Sequence, residues 1–573
     1  MNVSTKLTNY TELVTKDKHP ARPQRPRKAL PKEPPKPPKA ADHRDLAQEQ
    51  ELYTNSIYSP GSPLFLPNGA RMFHKLTDFL RDQYTLFGFE EVITPTIYKK
   101  SLWEKSGHWE NYADDMYAVT GRGAGRDLQM NNGEGLPTSE EVQPGVRLRP
   151  VEEVRLEEGA KPALELQPGQ DEEYGLKPMN CPGHCLLFAS KQRSYRDLPI
   201  RFADFSPLHR NEIHGALSGL TRVRRFHQDD GHIFCRPSQI VEEITKTLKF
   251  VELTYSVLGL GPYRLALSTR PKDHFIGTEE EWENAEAGLK YALEASEQKW
   301  TINEGDGAFY GPKIDVILTD SEGKEHQTAT IQLDFQLPKR FGLEYRAPAP
   351  EFEKKGLTTT DPEALAELGS VTPVMIHRAI LGSVERLMAL LIEHYNGHYP
   401  FWLNPRQVMI LTVNDSEKVV SYARDVREIL LGTDKESRTM RGAVMPGERI
   451  SVDIDSSASS LAKRIGKAKR ERYGVIVVVG SHDVHLNRVV CDFTGIPDPY
   501  GRLLMNRSLR KIRKLIETGG MGSGESLKTI DQRLMDMDPK AHLDDLDAAA
   551  WKQFPIHPVH LRKFLHYLQQ RHM

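Results

Sequence analysis

The chain has 573 residues, a formal net charge of −2 and four cysteines, Cys181, Cys185, Cys235 and Cys491, without the spacing of a disulfide framework. That length exceeds one ordinary domain and implies two or three folded domains with linkers, and the cysteine usage suits a reducing compartment. Near-neutral charge means that a nucleic-acid partner must meet a local basic face, and with no apolar run near the ~18 residues of a membrane span, no membrane partner is expected.

Residues 1–50 read as a disordered segment, because His19–Ala40 is rich in Pro, Lys and Arg and has almost nothing to bury. A solvated tail and an RNA contact both fit its cations. The first twenty residues carry three Lys, one Glu, one Asp and no Arg. That is neither the apolar core of a secretory signal nor the Arg-rich, acid-poor makeup of a transit peptide.

Residues 51–404 read as one domain, interrupted at about 121–171 by a segment rich in Gly, Pro and Glu whose composition favours a disordered surface insertion. Lys313–Thr319 alternates, with Ile314, Val316 and Leu318 on one face. Ala329–Phe335 alternates again, and Ser321–Lys324 between them reads as a hairpin turn. Ile380, Val384, Leu387 and Leu391 recur at i, i+4, i+7, i+11, a helix stripe. Strands between longer helices predict an α+β domain built on an antiparallel sheet.

Past Asn404–Pro405, residues 405–518 read as a small α/β domain. Its predicted elements are strand Val408–Val413, helix Ser416–Leu431, strand Ile450–Ile454, helix Ser459–Arg472 and strands Val475–Val479 and Val489–Phe493. The second helix carries Lys463, Arg464, Lys467, Lys469, Arg470 and Arg472, six cations in ten residues. Such a run suits phosphate contact, though it is also an ordinary solvated face. In the C-terminal extension, 519–573, Trp551, Phe554 and the Leu561–Leu568 stretch predict a terminal helix that packs on something.

Three distant segments carry the chemistry: Met179-Asn180-Cys181-Pro182-Gly183-His184, Arg224-Arg225-Phe226-His227-Gln228-Asp229-Asp230-Gly231-His232, and Val374-Met375-Ile376-His377-Arg378. Each contains a zinc-binding residue type, and a substrate-binding zinc site uses three protein ligands and leaves a position open. Taken singly, Cys181, His232 and His377 read equally as a packed thiol and satisfied core histidines. Cys185 and Cys235 read as core. No GxxxxGK[ST] run is present, so a P-loop is not expected.

Together these segments resemble the threonyl-tRNA synthetases, a class II family, from about Asn55 to Asp492. Met116–Tyr117 and Glu173–Lys177 match on either side of the insertion. The resemblance implies zinc, one per subunit, held by Cys181, His232 and His377, with threonine's amino and hydroxyl groups completing its coordination. Phe205–Glu212 resembles the motif 2 entry strand. It implies Arg210 on the ATP α-phosphate and threonine carboxylate and Glu212 on the adenine amino group. Arg222 is implied on the γ-phosphate, Phe226 stacked on adenine and Gln327 on the nucleotide. Leu381–Arg386 resembles motif 3, with Arg386 clamping adenine and γ-phosphate. Arg210 and Arg386, with Mg²⁺ carried by ATP, are the implied catalytic electrophiles. For Arg224 and Arg225 a nucleotide role and a solvated or RNA-facing loop stand open.

For threonine the implied contacts are Asp230 on the hydroxyl, Tyr310 and Gln332 near the amino group, Gln228 on the carboxylate side and Met179 in the wall. The implied reaction is ATP-dependent ligation of threonine to tRNA(Thr) through a threonyl adenylate, with 405–518 as the anticodon-binding domain. Phe79–Pro95 resembles motif 1, which implies a homodimer. About 50 low-hydrophobicity residues precede the catalytic region, so the family's N-terminal editing domain is not expected. That layout and the run Ala216–Thr221 resemble fungal mitochondrial members, implying a mitochondrial matrix location, with the cytoplasm as the alternative. Two other readings are a class II synthetase for another amino acid and a catalytically silent tRNA-binding paralogue.

Overall fold

A computed structural model describes residues 41–119, 173–272, 275–320, 323–434, 449–496, 554–570 and 572. The expected insertion at 121–171 and most of the expected N-terminal tail lie outside them. The described part of that tail departs from expectation. His43–Glu49 is a helix (α1) capped by Asp42, whose side chain accepts from the Arg44 N–H, and His43, Leu46 and Ala47 are buried. Those apolar residues are two adjacent positions in a polar stretch, too few to mark a core-facing helix.

The main elements that follow are α2 (Pro67–Phe87), β1 (Glu90–Glu91), α3 (Cys181–Ala189), β2 (Ile200–Asp204), β3 (Pro207–His209), β4 (Arg225–Cys235), α4 (Ile240–Val257), β5 (Arg264–Ser268), α5 (Glu279–Ala295), β6 (Trp300–Asn303), β7 (Lys313–Thr319), β8 (Glu325–Asp334), β9 (Val374–Ser383) and α6 (Val384–His394). The strands form one nine-stranded sheet in the order β6-β5-β7-β8-β9-β4-β2-β1, with β3 paired to β4. Its centre, β7 to β2, is antiparallel, and only the outer pairs β5–β6 and β1–β2 run parallel.

The β7–β8 hairpin forms as expected, with Ile314 opposite Ile331 and the Gly323 N–H bonded to the Asp320 carbonyl at 3.1 Å. Period-two alternation divides its faces. Ile314, Val316, Ile331 and Leu333 enter the main core, while Lys313, Thr330 and Gln332 face a cavity. Gly175 and Tyr174 pair with Ala118 and Val119, so the chain leaves for the insertion and returns on adjacent strands.

Two local expectations need correction. The stripe from Ile380 to Leu391 is buried throughout, but Ile380 belongs to β9 and the helix begins at Val384. Gly382 makes the break, at φ +60° and with a would-be Cβ 2.2 Å from the Thr328 carbonyl oxygen. The expected entry strand Phe205–Glu212 is shorter, only Pro207–His209 (β3), because the Asp204 carboxylate accepts from the Ser206 N–H at 2.7 Å and turns the chain between β2 and β3.

After Asn404 come β10 (Val408–Thr412), α7 (Glu417–Leu431), β11 (Val452–Asp455), α8 (Leu461–Arg470), β12 (Val475–Val479), β13 (Val489–Asp492), β14 (Phe554–Ile556) and α9 (Pro558–Gln570). A second sheet runs β11-β10-β12-β13-β14 around its own apolar core. The expected terminal helix is present, and Leu561, Phe564, Leu565 and Leu568 are buried in this core. The segment 519–573 is therefore not wholly an appendage, because β14 pairs with β13 and α9 fills the same core as α7. Trp551 lies outside the described residues. No described helix is long and apolar enough to cross a membrane.

Candidate active site

Alternation along β4 turns Phe226, Gln228, Asp230 and His232 to one face of the sheet, and that face is the floor of a cavity of about 500 Å³. All fourteen residues expected in the site line it: Met179, Cys181, Arg210, Glu212, Arg222, Phe226, Gln228, Asp230, His232, Tyr310, Gln327, Gln332, His377 and Arg386. They come from three central strands, the N-termini of two helices, the connection after β3 and the loop before β7.

At one end, sheet register does the assembly. His232 on β4 stands directly opposite His377 on β9, which stands opposite Gln332 on β8. Residues 145 positions apart in sequence thus become neighbours, with His232 Nε2 and His377 Nδ1 3.0 Å apart. Cys181, first residue of α3, closes the group, and its sulfur and the two histidine nitrogens all lie within 4.8 Å of one another.

The donor set fits zinc. Tetrahedral geometry at Zn–N of 2.0–2.1 Å separates two nitrogens by about 3.3 Å, a small change from the distance found. The His377 Nε2 lies 2.9 Å from the Asp334 carboxylate, which can only accept. Nε2 therefore carries the proton, and the Nδ1 lone pair faces His232 and Cys181. His232 Nδ1 contacts His184 Nδ1 at 2.7 Å. Burial drives the His232 pKa well below its ordinary range, keeping the neutral ring that ligates metals. Burial pushes the Cys181 thiol well up, with the Asp230 carboxylate adding to it, and a bound cation would reverse that balance.

Beside this group, Asp230 lies 3.7 Å from His232 Nε2 and accepts from the Asn180 N–H at 3.2 Å. The Tyr310 hydroxyl donates to Gln332 Oε1 at 2.9 Å. Their approach depends on Gly311, since a Cβ there would fall 1.8 Å from the Leu333 carbonyl oxygen.

The other end is cationic. Arg386 donates from Nε to the Thr221 carbonyl at 2.9 Å and from Nη1 to the Gln327 carbonyl at 3.1 Å. Its pKa is lowered by burial and by the like charges of Arg210 and Arg222. Arg210 lies over the Phe226 ring, 5.1 Å from its centroid, and its buried Nε has no partner. Arg222 pairs with Glu212 at 2.8 Å. Three guanidinium groups beside one carboxylate form a site for a polyanion. The Gln327 side chain is engaged in the floor, 2.6 Å from both Asp315 and Thr330, so its backbone carbonyl is what meets Arg386.

Arg224 donates to the Glu212 and Pro60 carbonyls, and Arg225 contacts His227; neither lines the cavity. Several lining or supporting residues had no expected role. Lys313 pairs with Asp315 at 3.0 Å and Asp306 at 3.2 Å. Buried His108 reaches the Cys181 sulfur at 3.6 Å. The cluster Ser106-Gly107-His108-Trp109 offered a signal for the second. The partners His184 and Asp334 offered none beyond adjacency to Cys181 and Gln332.

In the second domain, Arg464 is not a surface cation. It is buried and donates to the carbonyls of Thr412, Asp455 and Ser459. Lys469 pairs with Asp492 at 2.9 Å. Lys463, Lys467 and Arg470 are exposed at i, i+4, i+7, one helix face.

Residues 164–395 match the class II tRNA synthetase core domain for G, H, P, S and T, and residues 407–492 match the anticodon binding domain. The chain is 48% identical over 443 residues to a probable mitochondrial threonine–tRNA ligase of Schizosaccharomyces pombe, covering 77% of this chain and 82% of that one. It is 44% identical over 453 residues to the mitochondrial threonine–tRNA ligase of Saccharomyces cerevisiae, covering 77% and 84%. A crystal structure described as the RNA binding domain of threonyl-tRNA synthetase from Cryptosporidium parvum aligns at TM-score 0.62 and 40% identity, over 80% of this chain and 94% of that one. With a class II core, an anticodon-binding domain and relatives matched over most of their own length, this chain belongs to the threonine–tRNA ligase family.

Proposed function

We propose that the cavity joins threonine to ATP and then to tRNA(Thr), with zinc at Cys181, His232 and His377 selecting the amino acid. The observation that carries this reading is the placement of those three donors and Asp230 in the same cavity as Arg210, Arg222 and Arg386.

The enzyme is a threonine–tRNA ligase of class II. Threonine's carboxylate attacks the α-phosphorus of ATP in line and pyrophosphate leaves; the ribose of the terminal tRNA adenosine then takes the threonyl group from the adenylate. No protein nucleophile is needed, so the chain's work is positioning and charge neutralisation. Arg210 bridges the threonine carboxylate and α-phosphate. Arg222 and Arg386 hold the γ-phosphate, Glu212 and Phe226 receive adenine, and Mg²⁺ accompanies ATP. Held by Cys181, His232 and His377, zinc would supply a Lewis acid for the amino and hydroxyl groups of threonine. Asp230 accepts from that hydroxyl, Tyr310 and Gln332 approach the amino group, Gln228 supports the carboxylate side, and Met179 walls the pocket.

Two further parts of the reading concern surfaces. Leu86 and Ile93, 70% and 89% exposed at the end of α2 and just past β1, are apolar groups that a second copy would cover in a homodimer. Lys463, Lys467 and Arg470 give the tRNA a basic face on α8. The names of the fungal relatives support a mitochondrial location.

Amino-acid-dependent pyrophosphate exchange, run with threonine, serine, valine and proline, tests the assignment. Exchange should depend on threonine and collapse together with zinc content in Cys181→Ala. Undiminished zinc in that variant would refute the ligand set, and exchange driven by proline would refute the substrate.

A further inference from the structure

His43 does not line the cavity, yet it touches two elements that carry the cavity's arginines. Its Nε2 accepts from the Leu220 backbone N–H at 3.2 Å, and its Nδ1 meets Glu393 Oε1 at 2.7 Å. A backbone N–H can only donate, so Nε2 must present its lone pair and the ring proton sits on Nδ1, aimed at the Glu393 carboxylate. His43 is buried, and Leu220 is fully so. Asp42, His43 and Glu393 sit close enough to suggest a cation site. However, Asp42 is bound by Arg44 at 2.6 Å, and both imidazole nitrogens are already used.

Leu220 belongs to a tight turn, with the Ser218 N–H bonded to the Arg222 carbonyl at 3.1 Å and the Thr221 N–H to the Ser218 carbonyl at 2.9 Å. Gly219 enters it at φ +47°, so close to the imidazole that a Cβ would fall 2.0 Å from His43 Nε2. This turn presents the Thr221 carbonyl that holds Arg386 and leads directly into Arg222. Arg386 and Glu393 lie seven residues apart on α6, two turns along the same face. The contacts close a ring: α6 through Glu393 to His43, His43 to the turn at Leu220, and the turn through Thr221 back to α6 at Arg386.

We propose that His43 is a positioning residue for ATP: it fixes the 218–222 turn against α6 and so sets where Arg222 and Arg386 stand. The inference rests on reading those two arginines as ATP contacts. α1 then acts as a brace for the phosphate site as well as a piece of core.

Two amide substitutions separate the ring's two bonds. In His43→Asn the amide stands near the Nδ1 position and can keep Glu393, while the acceptor for Leu220 is lost. In His43→Gln an amide oxygen reaches towards the Nε2 position and can still accept, while the residue-43 backbone N–H, 3.3 Å from Glu393 Oε1, keeps the tie to α6 that only Glu393→Ala removes. In pyrophosphate exchange with the full chain, H43N should raise the KM for ATP about tenfold and hold that for threonine within about twofold. H43Q should return the KM for ATP to within about threefold of the natural enzyme. Hydrogen exchange across residues 213–224, measured without ATP, should quicken in H43N and not in H43Q.

Equal effects of the two variants, or a parallel rise in both KM values, would reduce His43 to a core residue and overturn the proposal. Should H43N fail to fold, Glu393→Ala opens the ring from the other side and must show the same split between ATP and threonine. Arg386→Gln distinguishes the two levels. If it leaves the KM for ATP unchanged, the arginine reading fails; if it raises that KM and H43N does not, only the brace fails.

Discussion

The two ends of the cavity are built in opposite ways. At the metal end His232 and His377 face each other across adjacent strands, and their outer nitrogens are held by His184 and Asp334. Backbone register sets that arrangement, and both rings are buried. At the nucleotide end the cations come from the connection after β3, a turn and a helix start. Arg222 rests on Glu212, Arg386 on two carbonyls, and Arg210 on an aromatic face. On the reading proposed above, a triphosphate would replace those partners. The amino-acid end would then be formed before substrate arrives, and the nucleotide end completed by it.

The sharpest consequence is selectivity. Valine matches threonine in shape but offers zinc and Asp230 no hydroxyl, and sites built around a substrate hydroxyl reject its absence by about 10⁴-fold. Serine keeps the hydroxyl and lacks one methyl, which gives only about 10–200-fold. Adenylate formation measured for all three should follow threonine, serine, valine in that order and spread. Valine activated as readily as serine would mean that the preformed end does not sense the hydroxyl. At the nucleotide end, Arg386→Gln should lower kcat/KM for ATP by about 10²–10³-fold while zinc content stays at one per subunit. Zinc lost along with ATP affinity would show that the two ends are not separate.

The same division explains what could be read from residues alone. The α+β core and the β7–β8 hairpin were legible because period two is written locally: Ile314, Val316 and Leu318 are every second residue. The partnership of His232 with His377 was not, because register between distant strands leaves no local trace; the resemblance to a family carried it. Ile380 read as helix because a strand end and a helix start were both apolar, and only Gly382 marks the corner. Arg464 read as an RNA contact because its charge is visible and its three carbonyl partners, at Thr412, Asp455 and Ser459, are not. The closing strand Phe554–Ile556 was missed because three residues far from β13 carry no periodicity.

A smaller effect tests whether the metal end owes its geometry to its supports. Asp334→Asn leaves all three ligands in place but no longer demands the proton on His377 Nε2. Metal affinity should fall by about 10–100-fold, read by competition with a chelator. Affinity unchanged in that variant would mean that strand register alone aims His377.

The mildest prediction concerns the charge beneath the same end. Asp204 is buried, which by itself would raise its pKa, but the His184 ring 3.9 Å away, hydrogen bonds from Ser206 and Thr94 and the charge of Lys177 together hold it well below the ordinary carboxylate range. Lys177 Nζ lies 3.8 Å from it and is itself fully buried. A carboxyl whose folded pKa is depressed contributes stability that is complete above its unfolded pKa of about 3.9 and is lost as pH falls through the folded value. Replacing it with Asn should therefore cost about 2 kcal/mol at pH 7, the scale of hydrogen bonds to a charged group. The difference in stability between Asp204→Asn and the natural enzyme should narrow only below about pH 4, as the natural carboxylate takes up its proton. Denaturant unfolding at pH 7, 5 and 3 reads this directly. A gap that stays constant across that range would show that Asp204 supports His184 by shape and not by charge.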